Sequence, residues 1–125
     1  MRGLTLDTGA LIALERRHLR ATRLVDIALE RGQLITIPSP VVIEWWRGPS
    51  RRAELVLGIG RIEPLAASTA RAAGEALAET GPGPSPTDAA VMASAAARGD
   101  TVLTSDVDDL ELLRQVFPSV RILRV

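Results

Sequence analysis

LTLDTGALIALER, residues 4–16, is the stretch that decides the fold of this chain. Its first apolar residues, Leu4 to Leu6, predict a short buried strand. Asp7 and Thr8 then offer side-chain oxygens that cap helix N-termini, and the apolar residues behind them predict a helix over 9–16. A strand that passes directly into a helix is the first half of a β-α-β unit, so we expect a parallel sheet.

The rest of the chain repeats this alternation of short β-like runs and longer helical patterns. Gly32 and Gly99 follow helical segments, where glycine commonly ends a helix, and Pro40 and Pro86 stand where helices open. The proline-rich run Thr80–Pro86 predicts a loop. The further predicted strands are 34–37, 61–65, 102–104 and 121–123, and the further predicted helices are 20–31, 41–47, 51–57, 67–79, 85–98 and 106–116. The pattern predicts an α/β fold in which helices wrap a parallel sheet.

The composition narrows the possible functions. With 125 residues, of which 46% are hydrophobic, the chain is expected to form one domain over residues 1–125. The absence of cysteine excludes disulfides, thiolate metal sites and thiol nucleophiles. Because 15 basic residues balance 15 acidic ones, any contact with nucleic acid has to be local. The first apolar run lacks the order of a signal peptide and no run is long enough to span a membrane, so we expect a soluble, cytoplasmic protein.

Two acidic residues, Asp7 and Asp106, stand where a predicted strand gives way to a helix. In open α/β sheets, the carboxyl ends of the strands form the crevice where ligands bind, at the point where the strand order reverses. We therefore expect both side chains to face that crevice. Taken singly, each residue also fits an ordinary helix N-cap.

Two further acids stand on helices. Glu44 lies inside Val41-Val-Ile-Glu-Trp-Trp46, where one charge is surrounded by large apolar residues. At the edge of a core such a carboxylate needs a partner, and a metal ion is one; it also fits an exposed glutamate on the polar side of a short helix. Asp88 follows Pro86-Thr87 at the start of a helix, where an acid also suits the helix dipole.

Together, these four carboxylates indicate a hard divalent cation. Mg²⁺ and Mn²⁺ prefer carboxylate oxygens, and a chain with no Cys and one His offers no softer ligand set. Two such ions about 4 Å apart can activate water and stabilise the leaving oxygen of a phosphodiester. The acidic quartet therefore predicts phosphodiester hydrolysis. Its members are Asp7, Glu44, Asp88 and Asp106.

Four pieces of the chain, in this order and at this spacing, resemble those of a known family. They are Leu6-Asp-Thr8 with the helix Ala10–Leu14, Val42–Gly48 around Glu44, Thr87–Ala90 after Pro86, and Leu103–Leu110 around Asp106. The family is that of the PIN-domain nucleases, and within it the VapC-type toxins of bacterial and archaeal toxin–antitoxin pairs. The resemblance covers almost the whole chain.

The resemblance implies a five-stranded parallel sheet and Mg²⁺- or Mn²⁺-dependent cleavage of RNA by the acidic quartet. It also implies a homodimer that a cognate small antitoxin protein holds inactive. Thr104 matches the hydroxyl that the family carries before the last acid, where it would orient carboxylates or the attacked phosphate; it also fits a plain strand threonine. Gly9 departs from the pattern, because many relatives carry Ser or Asn there.

Several neighbours of the quartet allow two interpretations. Asp109 is either a fifth, outer acid or a solvated residue in a first helical turn. Trp45 and Trp46 are expected to anchor a core or an interface, and His18 is expected on the surface. Three arginines just past Glu44 either meet RNA phosphates or lie in a solvated loop. They are Arg47, Arg51 and Arg52.

Three alternative functions compete with this interpretation of the sequence. A response-regulator receiver is also a small α/β domain with an acidic pocket, but it requires a lysine and this chain has none. The second is an RNA-processing PIN nuclease that is not a toxin, and the third is a PIN fold that acts as a scaffold without catalysis. The sequence identifies neither the RNA that is cut nor the number of metal ions.

Overall fold

The computed structural model describes residues 2–125, which form five strands and seven helices. The strands are β1 Leu4–Leu6, β2 Ile35–Pro38, β3 Arg61–Glu63, β4 Thr101–Thr104 and β5 Arg121–Arg124. The helices are α1 Thr8–Glu15, α2 Leu19–Glu30, α3 Ser39–Trp45, α4 Arg51–Leu57, α5 Ala67–Thr80, α6 Pro86–Arg98 and α7 Asp108–Leu113.

The strands form one parallel sheet in the order β3-β2-β1-β4-β5. The chain moves outward from β1 through β2 to β3, and then returns to the other side of β1 to add β4 and β5. In the register, Thr5 lies opposite Thr36 on one side and Val102 on the other. The order therefore reverses at β1, and the crevice at the carboxyl ends of β1 and β4 is the expected ligand site.

Helices cover both faces of the sheet. α6 packs across β1, β2 and β4 with α5 and α7 beside it, whereas α1 contacts β1 and β4 and is flanked by α2, α3 and α4. Right-handed crossovers place α1 and α2 on the face opposite α6 and α7. Leu6, Leu11, Met92 and Leu103 are fully buried between these layers, and each such side chain stabilises the fold by about 1.5–3 kcal/mol.

The predicted fold class and the order of elements are confirmed. α6 begins as its sequence indicates: Ser85 accepts a hydrogen bond from the Asp88 N–H, and the Asp88 carboxylate accepts one from the Ser85 N–H. The helix ends at Gly99, whose φ of 74° is in the left-handed region that glycine tolerates.

Some predicted boundaries were wrong. α7 spans Asp108–Leu113 and not 106–116; it starts late because the Thr104 hydroxyl accepts the Asp106 N–H at 3.0 Å and holds that residue in a turn. α3 begins at Ser39, two residues before the predicted start, with Pro40 in its first turn. β3 ends at Glu63, before Pro64, and not at residue 65.

No helix within residues 2–125 is long and apolar enough to cross a membrane.

Candidate active site

Asp7 lies at the centre of the crevice, at the residue where β1 passes into α1. Only 6% of its surface is exposed. One carboxylate oxygen accepts the Thr8 N–H at 2.7 Å and so caps α1, and the other accepts the Thr104 hydroxyl at 2.8 Å. Both oxygens are thus held in place by neighbouring donors.

The environment of Asp7 disfavours its negative charge. Burial raises its pKa most, the hydrogen bonds from Thr104 and Thr8 lower it, and the charges of Asp88 and Glu44 raise it further, to about 6. No arginine within residues 2–125 forms a salt bridge with Asp7. The carboxylate is therefore a buried negative group that lacks a cation.

Glu44 is exposed on α3, so it is more accessible than its apolar sequence neighbours suggested. It is nevertheless held at the crevice, because the Thr8 hydroxyl donates a 2.6 Å hydrogen bond to its Oε1. Thr8 follows Asp7 directly, so this bond joins the helix after β2 to the junction after β1.

Asp88 is half-buried in the first turn of α6, where it forms part of the cap with Ser85. Burial raises its pKa most; the hydrogen bonds with Ser85 lower it, and the charges of Asp109 and Glu44 raise it again, so that the net shift is upward. Asp88 thus combines the two roles that its sequence position allowed, a capping residue and an acid of the crevice. The charge of Glu44 acts on both Asp7 and Asp88, and the charge of Asp109 acts on Asp88, so Glu44 and Asp109 belong to the same acidic cluster.

Asp106 is the least integrated member of the predicted quartet. Its side chain is exposed, and its ties to the crevice run through the main chain: its N–H donates to the Thr104 hydroxyl at 3.0 Å, and that hydroxyl lies 3.1 Å from its carbonyl oxygen. Thr104 is fully buried and joins Asp106 to Asp7. It is therefore more than a plain strand residue.

The donor set fits a hard divalent ion held by few carboxylates. The charge of Glu44 raises the pKa of both Asp7 and Asp88, the charge of Asp88 also raises that of Asp7, and all the ligand atoms of these three side chains are oxygens. Within residues 2–125, no group of three or more acidic or histidine side chains is placed to hold a metal ion. Mg²⁺ is commonly bound by one or two carboxylates while it keeps several waters, and this arrangement suits that mode of binding.

Acidic residues outside the crevice are paired differently. Arg98 donates to Asp100 at 2.9 Å and also binds Glu63, which accepts the Ser94 hydroxyl at 2.6 Å. Burial favours a higher pKa for Glu63, but the Ser94 and Arg98 hydrogen bonds and the Arg98 charge outweigh it, and the pKa is lowered. The fold supplies a cation there and supplies none to Asp7.

Two of the arginines after Glu44 bind protein carbonyls. Arg47 donates to the carbonyls of Ile43 and Trp46 at 3.3 and 2.7 Å, and Arg52 binds the carbonyls of Leu14 and Glu15. These contacts satisfy the ends of α3 and α1, which a helix otherwise leaves without partners. Arg51 is exposed.

Trp45 and Trp46 pack against the body of the protein and away from the acidic crevice. Trp45 is 8% exposed, and its indole N–H lies 3.3 Å from the Glu15 carboxylate. Trp46 is half-buried against it, with ring centroids 6.2 Å apart. Trp45 is thus a core anchor, as expected, and His18 is an exposed residue at the start of α2.

Two features of the crevice were underestimated or missed from the sequence. Asp109 acts electrostatically on Asp88, and its spacing of three residues from Asp106 was the available signal. Ser105 lies against Gly9: a Cβ placed on Gly9 would lie 2.1 Å from the Ser105 Oγ. Nothing in the local pattern indicates that contact, because it joins two distant segments.

The acids of the crevice all fall within a stretch that matches one protein family. The PIN domain family model matches residues 4–115. The chain belongs to the PIN domain family. PIN domains are nucleases that generally use divalent metal ions. The search of curated proteins found no match.

Solved structures with the same fold include several toxin–antitoxin complexes. VapBC2 from Rickettsia felis, bound to a promoter DNA fragment, is 18% identical with a TM-score of 0.73, covering 98% of both chains. DNA-bound VapBC from Salmonella typhimurium is 20% identical with a TM-score of 0.71, covering 99% of this chain and 98% of the other. A toxin–antitoxin complex from Klebsiella pneumoniae is 19% identical with a TM-score of 0.73, covering 98% and 100%. At these sequence identities, the similarity to the three structures shows only that this chain has the same fold.

Proposed function

We propose that this PIN domain is a metal-dependent endoribonuclease and the toxin of a VapBC-type toxin–antitoxin pair. The observation that best supports the nuclease assignment is the environment of Asp7. This buried carboxylate lies where the strand order reverses, and it receives hydrogen bonds from a hydroxyl and an amide but has no cation beside it. A divalent ion satisfies such a group, and the family supplies the corresponding chemistry.

In this proposal, the residues of the crevice have different roles. Asp7, Glu44, Asp88 and Asp106 would hold Mg²⁺ or Mn²⁺. The buried Thr104 hydroxyl fixes the orientation of Asp7, and the Thr8 hydroxyl fixes that of Glu44. A bound ion would lower the pKa of a water molecule and neutralise charge on the attacked phosphodiester.

Cleavage of RNA by the purified protein tests the nuclease assignment. With Mn²⁺ or Mg²⁺ we expect products with 5′-phosphate ends, and no cleavage in excess chelator. Asp7→Asn should lower the rate by at least about a hundredfold, since loss of even an indirect partner of a metal ligand costs roughly 10–100-fold. Asp26→Asn, at an exposed acid on α2, is the matched control and should cleave normally. Equal cleavage in chelator would contradict a metal-dependent mechanism.

The toxin assignment rests on the neighbours and on an apolar groove beside the crevice. The neighbours are toxin–antitoxin complexes. The groove, of about 410 Å³, borders the acids because Ile43 precedes Glu44 and Thr87 precedes Asp88. Ile43 is 79% exposed, which suits contact with a partner. The groove is lined by Pro40, Ile43, Leu65, Gly74, Leu77 and Thr87, among others.

The occupant that we propose is a small antitoxin whose apolar segment fills this groove and whose arginine enters the acidic crevice. A planar guanidinium can bridge carboxylates through two hydrogen bonds, so it suits a cluster without its own cation. Trp45 does not contribute to this surface, because it is buried in the core.

Expression of the chain without its antitoxin tests the toxin assignment. We expect growth arrest in the source organism or a close relative, relieved by Asp7→Asn. Harmless accumulation of an active nuclease would instead favour an RNA-processing enzyme. We also expect the homodimer implied by the family resemblance, which sedimentation analysis of the purified protein would measure.

A further inference from the structure

Three hydroxyls stand at or just after the carboxyl ends of β1 and β4, and two of them are engaged. Thr8 donates to Glu44, and Thr104 donates to Asp7 itself. Ser105 is exposed at the mouth of the crevice, and none of the side-chain hydrogen bonds formed within residues 2–125 involves its hydroxyl. It is the hydroxyl of this group that remains able to donate to a ligand.

The position of Ser105 depends on Gly9. A Cβ on residue 9 would lie 2.1 Å from the Ser105 Oγ and 2.9 Å from its backbone nitrogen, so even alanine would displace the turn between β4 and α7. Gly9 lies within α1 and does not need a positive φ. Glycine weakens a helix by roughly 0.5–1 kcal/mol relative to alanine, so its use here provides space and not conformational freedom.

The Ser105 hydroxyl therefore lies in the space that a side chain on residue 9 would enter. The turn after β4 places this polar group against the helix that follows β1, across a gap that only glycine leaves open. The hydroxyl at the mouth of the crevice thus comes from the turn after β4. Gly9, on the helix after the adjacent strand β1, provides the space for it.

We propose that Ser105 binds a phosphate oxygen of the RNA at the mouth of the acidic crevice, and that Gly9 makes room for it. The proposal rests on the proposed nuclease function. Ionised carboxylates cannot donate hydrogen bonds, so a crevice of acids needs a neutral donor to contact a phosphate that they would otherwise repel. A hydrogen bond to a charged group contributes enough to be measured in binding and in KM.

The first experiment compares Ser105→Ala with Ser119→Ala, the latter at an exposed serine in the turn before β5. Binding of a fluorescent RNA oligonucleotide is measured by anisotropy with Ca²⁺, and cleavage is measured with Mn²⁺. Ser105→Ala should weaken binding about tenfold, which corresponds to about 1.4 kcal/mol, and should raise KM by a similar factor with kcat nearly unchanged. Ser119→Ala should match the wild type in both measurements.

The second experiment moves the hydroxyl across the gap. Gly9→Ala alone should lower the melting temperature and weaken RNA binding, because its Cβ displaces Ser105. Gly9→Ala with Ser105→Gly should recover part of the stability but not RNA binding, because the new Cβ still lies 2.9 Å from the backbone nitrogen of residue 105. Gly9→Ser with Ser105→Gly should recover the same part of the stability and also RNA binding, since the hydroxyl returns to the same space from the other side. Such recovery measures the coupling of the two positions directly.

The possible outcomes separate the two proposals. If the wild type cleaves RNA with Mn²⁺ while Ser105→Ala has unchanged binding and KM, the role of Ser105 is overturned and the nuclease stands. If Gly9→Ala melts like the wild type, the steric coupling is overturned. If the wild type neither binds nor cleaves RNA, both proposals fail together.

Discussion

At the scale of single residues, Asp7 and Glu63 show how the same chemical group is treated in two ways. Both are carboxylates at the ends of strands, yet Glu63 receives the Arg98 guanidinium and Asp7 receives only hydroxyl and amide donors. The pKa of Glu63 is lowered and that of Asp7 is raised to about 6. Only the environment of Asp7 leaves a carboxylate charge for a ligand to neutralise.

The raised pKa of Asp7 predicts a pH-dependent stability. An acid with a folded-state pKa near 6 and an ordinary value of 3.8 stabilises the fold below pH 4 and loses that contribution as the pH rises through 6. Asp7→Asn removes the charge, and its amide can donate to the Thr104 oxygen. The variant should gain roughly 2–3 kcal/mol at pH 7.5 and little at pH 4.

Urea unfolding of both metal-free proteins at the two pH values measures this effect, with Asp26→Asn as the control. An equal effect of Asp7→Asn at pH 4 and pH 7.5 would show that the substitution acts through packing and not through charge.

Single residues also show the limits of sequence reasoning. The family resemblance pointed to Thr104, which ends β4 two residues before Asp106, and its role at the site stays a prediction. The use of Arg47 and Arg52 was not predictable, because whether an arginine meets carbonyls or solvent depends on helix ends that are placed only in the folded chain. The contact between Gly9 and Ser105 was unpredictable for the same reason.

At the scale of elements, the start of α6 combines a structural and a functional task. Ser85 and Asp88 cap the helix reciprocally, while the net shift of the Asp88 pKa is upward. The sequence predicted this helix well because Ser85, Pro86 and Gly99 are local signals. It failed for the start of α7, where a tertiary element, the Thr104 side chain on β4, holds Asp106 out of the helix.

The two tasks at the start of α6 can be separated by substitution. Ser85→Ala removes the cap oxygen and should destabilise the protein by about 1 kcal/mol. Asp88→Asn keeps an acceptor for the Ser85 N–H but removes the charge, so it should raise the melting temperature of the metal-free protein at neutral pH. Thermal melts of both variants in chelator measure the two signs. A lower melting temperature for Asp88→Asn would mean that capping outweighs charge repulsion.

The contact between the end of α6 and the sheet predicts a large loss on substitution. Arg98→Ala leaves the buried Asp100 without a cation and Glu63 with only the exposed Arg61 at 3.7 Å, so it should destabilise the protein by roughly 3 kcal/mol, reduced from the fully buried case because Glu63 is 28% exposed. Arg114→Ala removes an exposed pair with Glu111 and should cost less than about 1 kcal/mol. Denaturant unfolding compares the two; equal losses would contradict this account.

At the scale of the whole molecule, the proposed metal site predicts that metal binding and global folding are coupled. The acids come from four segments that meet only in the complete fold, so an ion that binds them stabilises the whole domain. Mn²⁺ at a hundredfold excess over its Kd should therefore add about 2.7 kcal/mol, or roughly 10 °C in melting temperature for a domain of this size.

Variants of the crevice should lose this metal effect. Asp7→Asn and Asp88→Asn should melt higher than the wild type in chelator and show a smaller rise with Mn²⁺, whereas Asp26→Asn should behave like the wild type in both conditions. Thermal melts with and without Mn²⁺ provide the measurement. If Asp88→Asn keeps the full rise, Asp88 is a capping residue outside the metal site.

The position of β1 in the sheet has a consequence for synthesis on the ribosome. Asp7 is made 97 residues before its partner Thr104, which lies on β4 and docks beside β1 only after that strand has been synthesised. A nascent chain therefore carries Asp7 without an assembled crevice until β4 has been made. For the proposed nuclease, this late assembly postpones activity during synthesis beside ribosomal, transfer and messenger RNA.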